Sequence, residues 1–216
     1  MLFINRYCHI RNRSIVSQGR VIYQNPEGSL NHFLEAAFES FVSDYPKFYK
    51  MDMLSKLGVL ATELLLKDQL LFERYSPEQV AVVLSNAHAS LDTDVTYFES
   101  TKAGASPALF VYTLPNIVAG EISIRHGIKG ETAFFVFPAF DAVRMADYVN
   151  LVMGFEKTKA CIAGWIDGMG DHHNVFLYLA EKQRNSGALD HTAEQLQTLY
   201  DRNYRTVDGR SEKTDH

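Results

Sequence analysis

The stretch SPALFVYTLPNIVAGEISIRHGIKGETAFFVFPA, residues 106–139, decides the fold that we predict for this 216-residue chain. It begins as a loop and enters a helix at Leu114-Pro115-Asn116. A glycine-containing turn at Gly127–Gly130 follows, and then an aromatic strand at Ala133–Phe137. Proline suits the first turn of a helix, because the N–H group that it lacks has no partner there. The stretch therefore predicts a helix and then a buried strand that leads into another helix.

On either side of this stretch, apolar strands alternate with helices. Val80–Ser85, Ala160–Ile166 and Val175–Ala180 are short runs of apolar residues, typical of strands buried on both faces. Leucines recur at helical spacing from Met53 to Lys67, and Phe140–Met153 is also predicted to be helical. This alternation predicts an α/β fold in which helices cover both faces of a sheet.

The remaining elements and the domain limits follow from the same patterns. We predict one domain over residues 1–204 and a flexible polar tail over residues 205–216. Residues 12–29 are predicted to be a loop or a short ribbon. The other predicted elements are a strand at Leu2–Ile10 and helices within Leu30–Tyr45, Asp92–Ser100 and Thr192–Tyr204.

The composition restricts the class of protein. Hydrophobic residues make up 46% of the chain and charged residues 22%, as in an ordinary globular domain. The net charge of -5 argues against a protein built to coat nucleic acid. The uncharged segment Gly104–Gly120 is shorter than the roughly 20 apolar residues of a membrane span. We therefore expect a cytoplasmic protein without a membrane span, in which Cys8 and Cys161 are buried thiols.

Four blocks of the sequence resemble β-ketoacyl-acyl-carrier-protein synthases in their order and spacing. The specific block is LPNIVAGEISIRHGIKGE at Leu114–Glu131, which resembles the segment before the active-site cysteine of that family. The other blocks are MLSKLGVLATELLLKD after Met51-Asp52, the region Val80–Ser100, and CIAGWID at Cys161–Asp167. At Asn86–Ala89 this chain lacks the glycines that such enzymes carry. The motif residues of the specific block are Pro115, Asn116, Gly120, Gly127 and Gly130.

The resemblance implies a thiolase-like half, with a mixed five-stranded sheet and helices on both faces. It also implies a cysteine nucleophile where the aromatic strand leads into the next helix. Counted without a gap from Gly127–Gly130, that position holds Ala139, and a small gap would place Phe137, Pro138 or Phe140 there. None of these side chains is a nucleophile. The family's two catalytic histidines belong to a second half that we expect this chain to lack, so we expect the standard condensation reaction to be absent.

The weak candidates for a relocated catalytic residue are His88, His172 and Ser106. His88 follows a strand at the end where α/β sheets often bind ligands, although a hydrogen-bonded loop histidine is the simpler interpretation. His172 belongs to the polar cluster Asp171-His172-His173, which we predict to be an exposed loop. On a strand, adjacent histidines would point to opposite faces and would make a poor chelate together. Ser106 has no neighbouring motif that would activate it. We predict neither a metal site nor a cofactor.

The resemblance also implies a partner. In the family, the aromatic strand pairs with its copy across a dimer interface. Arg125, Lys129 and Arg144 are basic residues that could meet an acidic acyl carrier protein. The residues that we expect at the interface or along an acyl tunnel are Phe134, Phe135, Phe137 and Phe140.

The leading hypothesis is a non-catalytic partner of an active ketosynthase, similar to a chain-length factor, in fatty-acid, polyketide or aryl-polyene-type biosynthesis. A homodimer is the other form of pairing. One alternative is an acyltransferase or thioesterase-like enzyme with a relocated catalytic residue. Another is a free-standing module that binds an acyl carrier or an acyl chain.

Overall fold

The computed structural model describes residues 1–42, 44–67 and 71–202. Within these residues the strands are β1 Phe3–Arg11, β2 Ser14–Ser17, β3 Arg20–Gln24, β4 Val80–Asn86, β5 Thr132–Val136, β6 Ala160–Met169, β7 His172–Glu181 and β8 Leu189–Asp190. The helices are α1 Leu30–Phe41, α2 Met53–Leu66, α3 Leu71–Arg74, α4 Leu91–Ser100, α5 Pro107–Val111, α6 Ile117–His126, α7 Ala142–Gly154 and α8 Ala193–Asp201, with short 3₁₀ helices at Pro46–Lys50 and Pro77–Gln79.

One mixed sheet contains all of these strands, in the order β3-β2-β1-β7-β6-β4-β5, and β8 pairs with β1. Strand β4 runs parallel to β5 and β6, whereas β7 is antiparallel to both β6 and β1. The predicted five-stranded mixed sheet corresponds to the centre β1-β7-β6-β4-β5. The strand count was too low, because two hairpins add β2 and β3, and the short strand β8 pairs with β1. Asn12, Arg13 and Gln18 take positive φ at the hairpin turns.

Helices cover both faces of the sheet, as predicted. Residues of β4 alternate between two apolar clusters. Val82 and Leu84 belong to the cluster that contains the apolar faces of α1, α2 and α6. Ala81 and Val83 belong to the cluster that contains the apolar faces of α7 and α8. This period of two places β4 inside a three-layered α/β/α arrangement.

Gly164 in β6 allows the closest approach of two central strands. Its φ of +146° lies where L side chains are rarely found, and an added Cβ would lie 2.0 Å from the carbonyl oxygen of Phe176 in β7. The glycine of the CIAGWID block is therefore required by the packing of β6 on β7. Asp167 lies further along β6, toward its carboxyl end.

Three local predictions were wrong. The aromatic strand was predicted to be buried, but β5 lies at the edge of the sheet and none of its residues is fully buried; Val136 is 52% exposed. Residues 107–111, predicted to be a loop, form helix α5, because the Ser106 hydroxyl accepts a hydrogen bond from the Leu109 N–H and Pro107 begins the helix. His172 and His173 belong to β7, because the β6–β7 hairpin continues beyond the centre of the sheet as far as the pair Met169–His172.

The predicted tail, residues 205–216, lies outside the described residues, as do the last residues of the predicted C-terminal helix. Among the helices of the described ranges, none is long and apolar enough to cross a membrane.

Candidate functional site

The turn between β5 and α7 is where the resemblance implies a nucleophile. Ala139 lies in this turn and is exposed. The two cysteines of the sequence lie elsewhere: Cys8 is buried in β1 and Cys161 in β6. Burial raises the pKa of the Cys8 thiol to about 12 and also raises the pKa of the Cys161 thiol. The prediction of two buried thiols is confirmed, and both stay protonated at neutral pH.

The N-terminus of α7 is occupied by a carboxylate of the same chain. Asp141 caps the helix, and its Oδ1 accepts a hydrogen bond of 2.9 Å from the N–H of Arg144. The Arg144 guanidinium pairs with Asp141 at 3.2 Å and lies 5.5 Å from the centre of the Phe137 ring. A helix N-terminus activates a thiol by lowering its pKa. Ala139 comes before the capping residue, so its side chain does not lie at the terminus of α7.

The residue after Ala139 faces the interior of its own chain. Phe140 is buried, stacks on Tyr200 of α8 at 4.3 Å between ring centres, and meets Phe176 edge-on at 5.6 Å. Beside it lies a cavity of about 550 Å³ between the turn and Gln197 of α8. The turn therefore borders a cavity, and its residues Pro138 and Ala139 present neither a thiol nor a hydroxyl to it.

The aromatic side chains of β5 divide between the two faces of the sheet. Phe134 packs against the cluster of α2 and α6. Phe135 and Phe137 lie on the opposite face with ring centres 5.6 Å apart, and Tyr148 of α7 meets Phe135 at 4.6 Å. Together with Leu151, which is 59% exposed, they line an apolar groove of about 480 Å³. We call this the β5–α7 groove; its lining residues are Phe135, Phe137, Arg144, Met145, Asp147, Tyr148 and Leu151.

Strand β5 also presents backbone groups at the sheet edge. The carbonyl of Glu131 accepts a hydrogen bond from the Val82 N–H, and the Phe137 N–H donates to the carbonyl of Asn86, both at 2.9 Å. The backbone N–H and C=O groups of successive residues point to opposite sides of a strand. Those of the odd-numbered residues of this segment therefore point to β4, while those of Thr132 and Val136 point to the open side. The groove therefore adjoins a strand edge that has only β4 as its neighbour in the described part of the sheet.

A second cluster lies at the carboxyl ends of the adjacent parallel strands β4 and β6. Nδ1 of His88 lies 2.9 Å from Oδ2 and 3.1 Å from Oδ1 of Asp167. Asp167 Oδ1 also accepts hydrogen bonds from the N–H groups of Ala87 and His88, at 3.0 and 3.1 Å. These contacts hold the carboxylate and orient the imidazole ring. His88 remains 44% exposed at its side chain, whereas Asp167 is 16% exposed.

The pair lines a cavity of about 470 Å³ together with residues from the turns after β1 and β6. The Arg13 guanidinium pairs with Asp171 at 3.2 Å, and the backbone N–H of Arg13 donates a hydrogen bond to Nε2 of His173 at 3.1 Å. Burial lowers the pKa of His173. His172 is exposed and also lines the cavity. Within the described ranges, no three His, Cys, Asp or Glu side chains form a group that could hold a metal ion.

The structure thus brings together two of the three weak candidates, His88 and His172. Ser106 lies apart from them and caps α5. The sequence analysis did not identify Asp167 as a site residue. A signal was present, because His88 and Asp167 both follow apolar strands, and the carboxyl ends of neighbouring parallel strands meet at one edge of a sheet.

The motif residues of the specific block shape α6 and its exit. Pro115 and Asn116 precede the helix, and Gly127 ends it with a φ of +69°. Gly120 lies within the helix. Gly130 allows β5 to start close to β4, since a Cβ there would lie 2.3 Å from the carbonyl oxygen of Val80.

The three basic residues do not form one surface. Arg125 pairs with Glu63 at 2.5 Å and lies over the Tyr45 ring. Lys129 precedes β5, whereas Arg144 follows it, so these two side chains lie at opposite ends of the strand.

This architecture, a mixed sheet between helical layers with a strand-to-helix turn beside its edge, is the thiolase-like fold of ketosynthases and chain length factors. Three solved structures illustrate the similarity. The ishigamide ketosynthase/chain length factor matches with a TM-score of 0.60 and 14% identity, over 86% of this chain and 63% of that chain. A type II polyketide ketosynthase in complex with its acyl-carrier protein matches with a TM-score of 0.56 and 13% identity, over 84% and 63% of the two chains.

The third structure is the complex of a ketosynthase with its chain length factor from Xenorhabdus doucetiae. It matches with a TM-score of 0.55 and 12% identity, over 92% of this chain and 90% of that chain. By contrast, this chain spans only 63% of the length of each of the first two. No family model and no curated protein sequence matches the chain.

Proposed function

We propose that this chain is a ketosynthase-like subunit, non-catalytic in the condensation reaction, that pairs through the β5–α7 groove with a ketosynthase that carries the cysteine. The partner performs the condensation in fatty-acid, polyketide or aryl-polyene-type biosynthesis, and this chain shapes the interface or the acyl tunnel. The observation that carries the proposal is an exposed apolar groove at an open strand edge, next to a turn without a nucleophile.

The chemistry of the turn supports a non-catalytic role. Condensation on this fold requires a thiolate that holds the acyl chain, and a helix N-terminus is where such a thiolate gains its low pKa. The turn instead presents Pro138 and Ala139, and the carboxylate of Asp141 occupies the end of α7. A neighbouring negative charge would raise the pKa of a thiol there.

The surface chemistry supports pairing. An open strand edge beside exposed apolar side chains is a template for association, and proteins that remain monomeric usually block such an edge. Two of the similar structures are ketosynthase/chain length factor assemblies. In the complex from Xenorhabdus doucetiae, the match covers 90% of the similar chain. A chain that is little longer than the matched region therefore belongs to such an assembly.

The test is co-expression of this chain with a cysteine-bearing ketosynthase from the same genome, followed by size-exclusion chromatography with light scattering. We expect a heterodimer. Leu151→Asp places a charge in the groove, and Val136→Pro removes an N–H group from the open edge without affecting the ladder to β4. Each is expected to weaken the complex at least tenfold.

Ile124→Asp is the matched control, because Ile124 is 68% exposed on helix α6, away from the groove. Equal weakening by Ile124→Asp and Leu151→Asp would contradict the proposed interface. The same measurement on the chain alone separates a homodimer from a heterodimer. Capture of an acyl carrier protein without any ketosynthase would favour the free-standing binding module.

One observation favours a second candidate function. The contact between His88 and Asp167 is the arrangement that a relocated acid–base site would need, as in an acyltransferase or thioesterase-like enzyme. Neither residue lines the β5–α7 groove, so pairing and an activity at this cavity would use separate surfaces.

A further inference from the structure

The contacts of Asp167 define one hydrogen-bonding state for His88. The carboxylate accepts two backbone N–H groups. A carboxylate accepts hydrogen bonds and does not donate them, so the neutral imidazole next to it carries its proton on Nδ1. Nε2 then holds a lone pair. In the described part of the chain no residue donates a hydrogen bond to that nitrogen.

The surroundings of His88 differ from those of an ordinary surface histidine. The residue lies in the turn directly after β4, on a chain segment that is fixed on both sides: the Asn86 side chain exchanges hydrogen bonds with Ala89, and Asp167 holds the Ala87 and His88 N–H groups. The ring therefore lies in a rigid frame at the wall of a cavity of about 470 Å³.

We propose that His88 is a general base that activates water for the hydrolysis of acyl thioesters in this cavity, with Asp167 as its positioning residue. The oxygen of water forms a bond to the acyl carbonyl carbon while its proton passes to Nε2 of His88. When the carbon–sulfur bond breaks, the imidazolium returns this proton to the leaving thiolate. The products are a carboxylic acid and a thiol, and no oxidant or reductant takes part.

Asp167 contributes by holding the ring and by stabilising the imidazolium that forms during the reaction. The choice of a thioester as the substrate rests on the proposed function, in which acyl groups are carried as thioesters. The role of His88 as a base does not depend on that choice, because it follows from the contacts of the ring alone.

The experiment uses the full chain and two probes, p-nitrophenyl acetate and S-hexanoyl-N-acetylcysteamine. We expect hydrolysis of both, and a loss of about 100-fold in His88→Asn, within the usual range for removal of a general base. His32→Asn is the matched control, since His32 is exposed on α1 and does not line the cavity. An equal loss in both variants, or no loss in His88→Asn, would overturn the proposal.

A second measurement tests the arrangement without relying on turnover. Nitrogen NMR of the labelled chain reports the tautomer of His88, which we expect to be protonated on Nδ1. In Asp167→Asn this preference should be lost, while thermal unfolding shows that the variant is folded. A proton on Nε2 in the unmodified chain would overturn the assignment of the base.

The substrate class and the proposed function can fail separately. Hydrolysis is measured on this chain alone, whereas pairing is measured with a ketosynthase and no substrate. Cleavage of the aryl ester without cleavage of the thioester would overturn the thioester assignment. A ketosynthase complex that forms normally with His88→Asn would show that pairing does not depend on this cavity.

Discussion

Two neighbouring parallel strands, β4 and β5, each lead into a turn at the same edge of the sheet, and the two turns differ in chemistry. The turn after β5 has Pro138 and the exposed Ala139, followed by a helix that its own Asp141 caps. The turn after β4 has His88, held by Asp167 at 2.9 Å. The polar, oriented groups thus lie one strand away from the position where the family resemblance implies a nucleophile.

The difference shows that a fold fixes where strands end but leaves the chemistry at each end to individual side chains. The turn after β5 borders an apolar groove at the sheet edge, which suits association. The turn after β4 borders a polar cavity, which suits proton transfer. Changes to the shared sheet should affect both turns, whereas changes to one turn should leave the other intact.

The largest effect is expected from Gly164→Ala, which would break the sheet beneath both turns. A Cβ at this position meets the Phe176 carbonyl oxygen at 2.0 Å, at a φ of +146°. Because the obstacle is backbone, β6 and β7 must separate, and we expect a loss of roughly 4 kcal/mol or more. Urea unfolding followed by circular dichroism measures it.

Gly120→Ala is the control for Gly164→Ala. Gly120 lies within α6, and nothing lies within 4 Å of an added Cβ. Alanine there should stabilise the chain by about 1 kcal/mol, because glycine is a poor helix former. A Gly164→Ala protein as stable as Gly120→Ala would contradict the close approach of β6 and β7.

Acid should destabilise the protein through two histidines, His9 and His191, which lie on the sheet face that α7 and α8 cover. Burial, with the charges of Arg11 and Arg202, lowers the pKa of His9 to about 3, and burial lowers the pKa of His191 to about 4. The unfolded chain binds protons at these histidines near pH 6.5, so stability falls as the pH drops below about 6.5. His191 alone should contribute a loss of about 3 kcal/mol by pH 4.

Urea midpoints between pH 7 and pH 4 test this dependence. His9 stacks on Phe176, and His191 contacts the Tyr178 hydroxyl at 3.2 Å; both aromatic residues belong to the cluster beneath α7 and α8. His191→Gln should flatten the pH dependence, since glutamine does not titrate. A midpoint that is the same at pH 7 and pH 4.5 would contradict the low pKa values.

Most of the central strands and long helices were predictable from the sequence, because the spacing of apolar residues indicates which side chains are buried. Strands β1, β4, β6 and β7 and helices α2 and α7 lie within a few residues of their predicted limits. The error on β5 has a physical cause. Three phenylalanines in the predicted strand Ala133–Phe137 resemble a buried run, yet Phe135, which meets Tyr148, and Phe137 both line the groove.

The site was less predictable, because it depends on contacts between distant parts of the chain. His88 and Asp167 are 79 residues apart, and their contact requires the order of β4 and β6 in the sheet, which periodicity does not give. The cap of α7 was also hard to predict. Asp141 is a residue type that often begins a helix, but its position relative to Ala139 has a meaning only once the first residue of α7 is known.

A smaller effect is expected from Asp141→Ala, which changes the turn after β5 alone. Loss of the cap leaves the Arg144 N–H without its acceptor and should cost about 1 kcal/mol. Asp141→Asn keeps an acceptor oxygen and should cost less. Hydrolysis by the cavity at His88 should not change in either variant. A parallel loss of that activity would show that the two turns are coupled.

Ala139→Cys should have almost no effect on stability, since Ala139 is exposed, and it tests what this turn does to a thiol. A cysteine at an uncapped helix N-terminus has a pKa of about 3.5 to 7.5, whereas a free cysteine titrates near about 8.5. Because Asp141 caps α7, we expect the new thiol to titrate at or above the free value. The pH dependence of alkylation by iodoacetamide, followed by intact mass, measures the thiol pKa, and the unmodified chain is the control because Cys8 and Cys161 are buried.

Adding Asp141→Ala to Ala139→Cys should lower the thiol pKa. A low pKa in Ala139→Cys alone would mean that the turn still activates a thiol, and it would contradict the effect that we assign to the Asp141 cap.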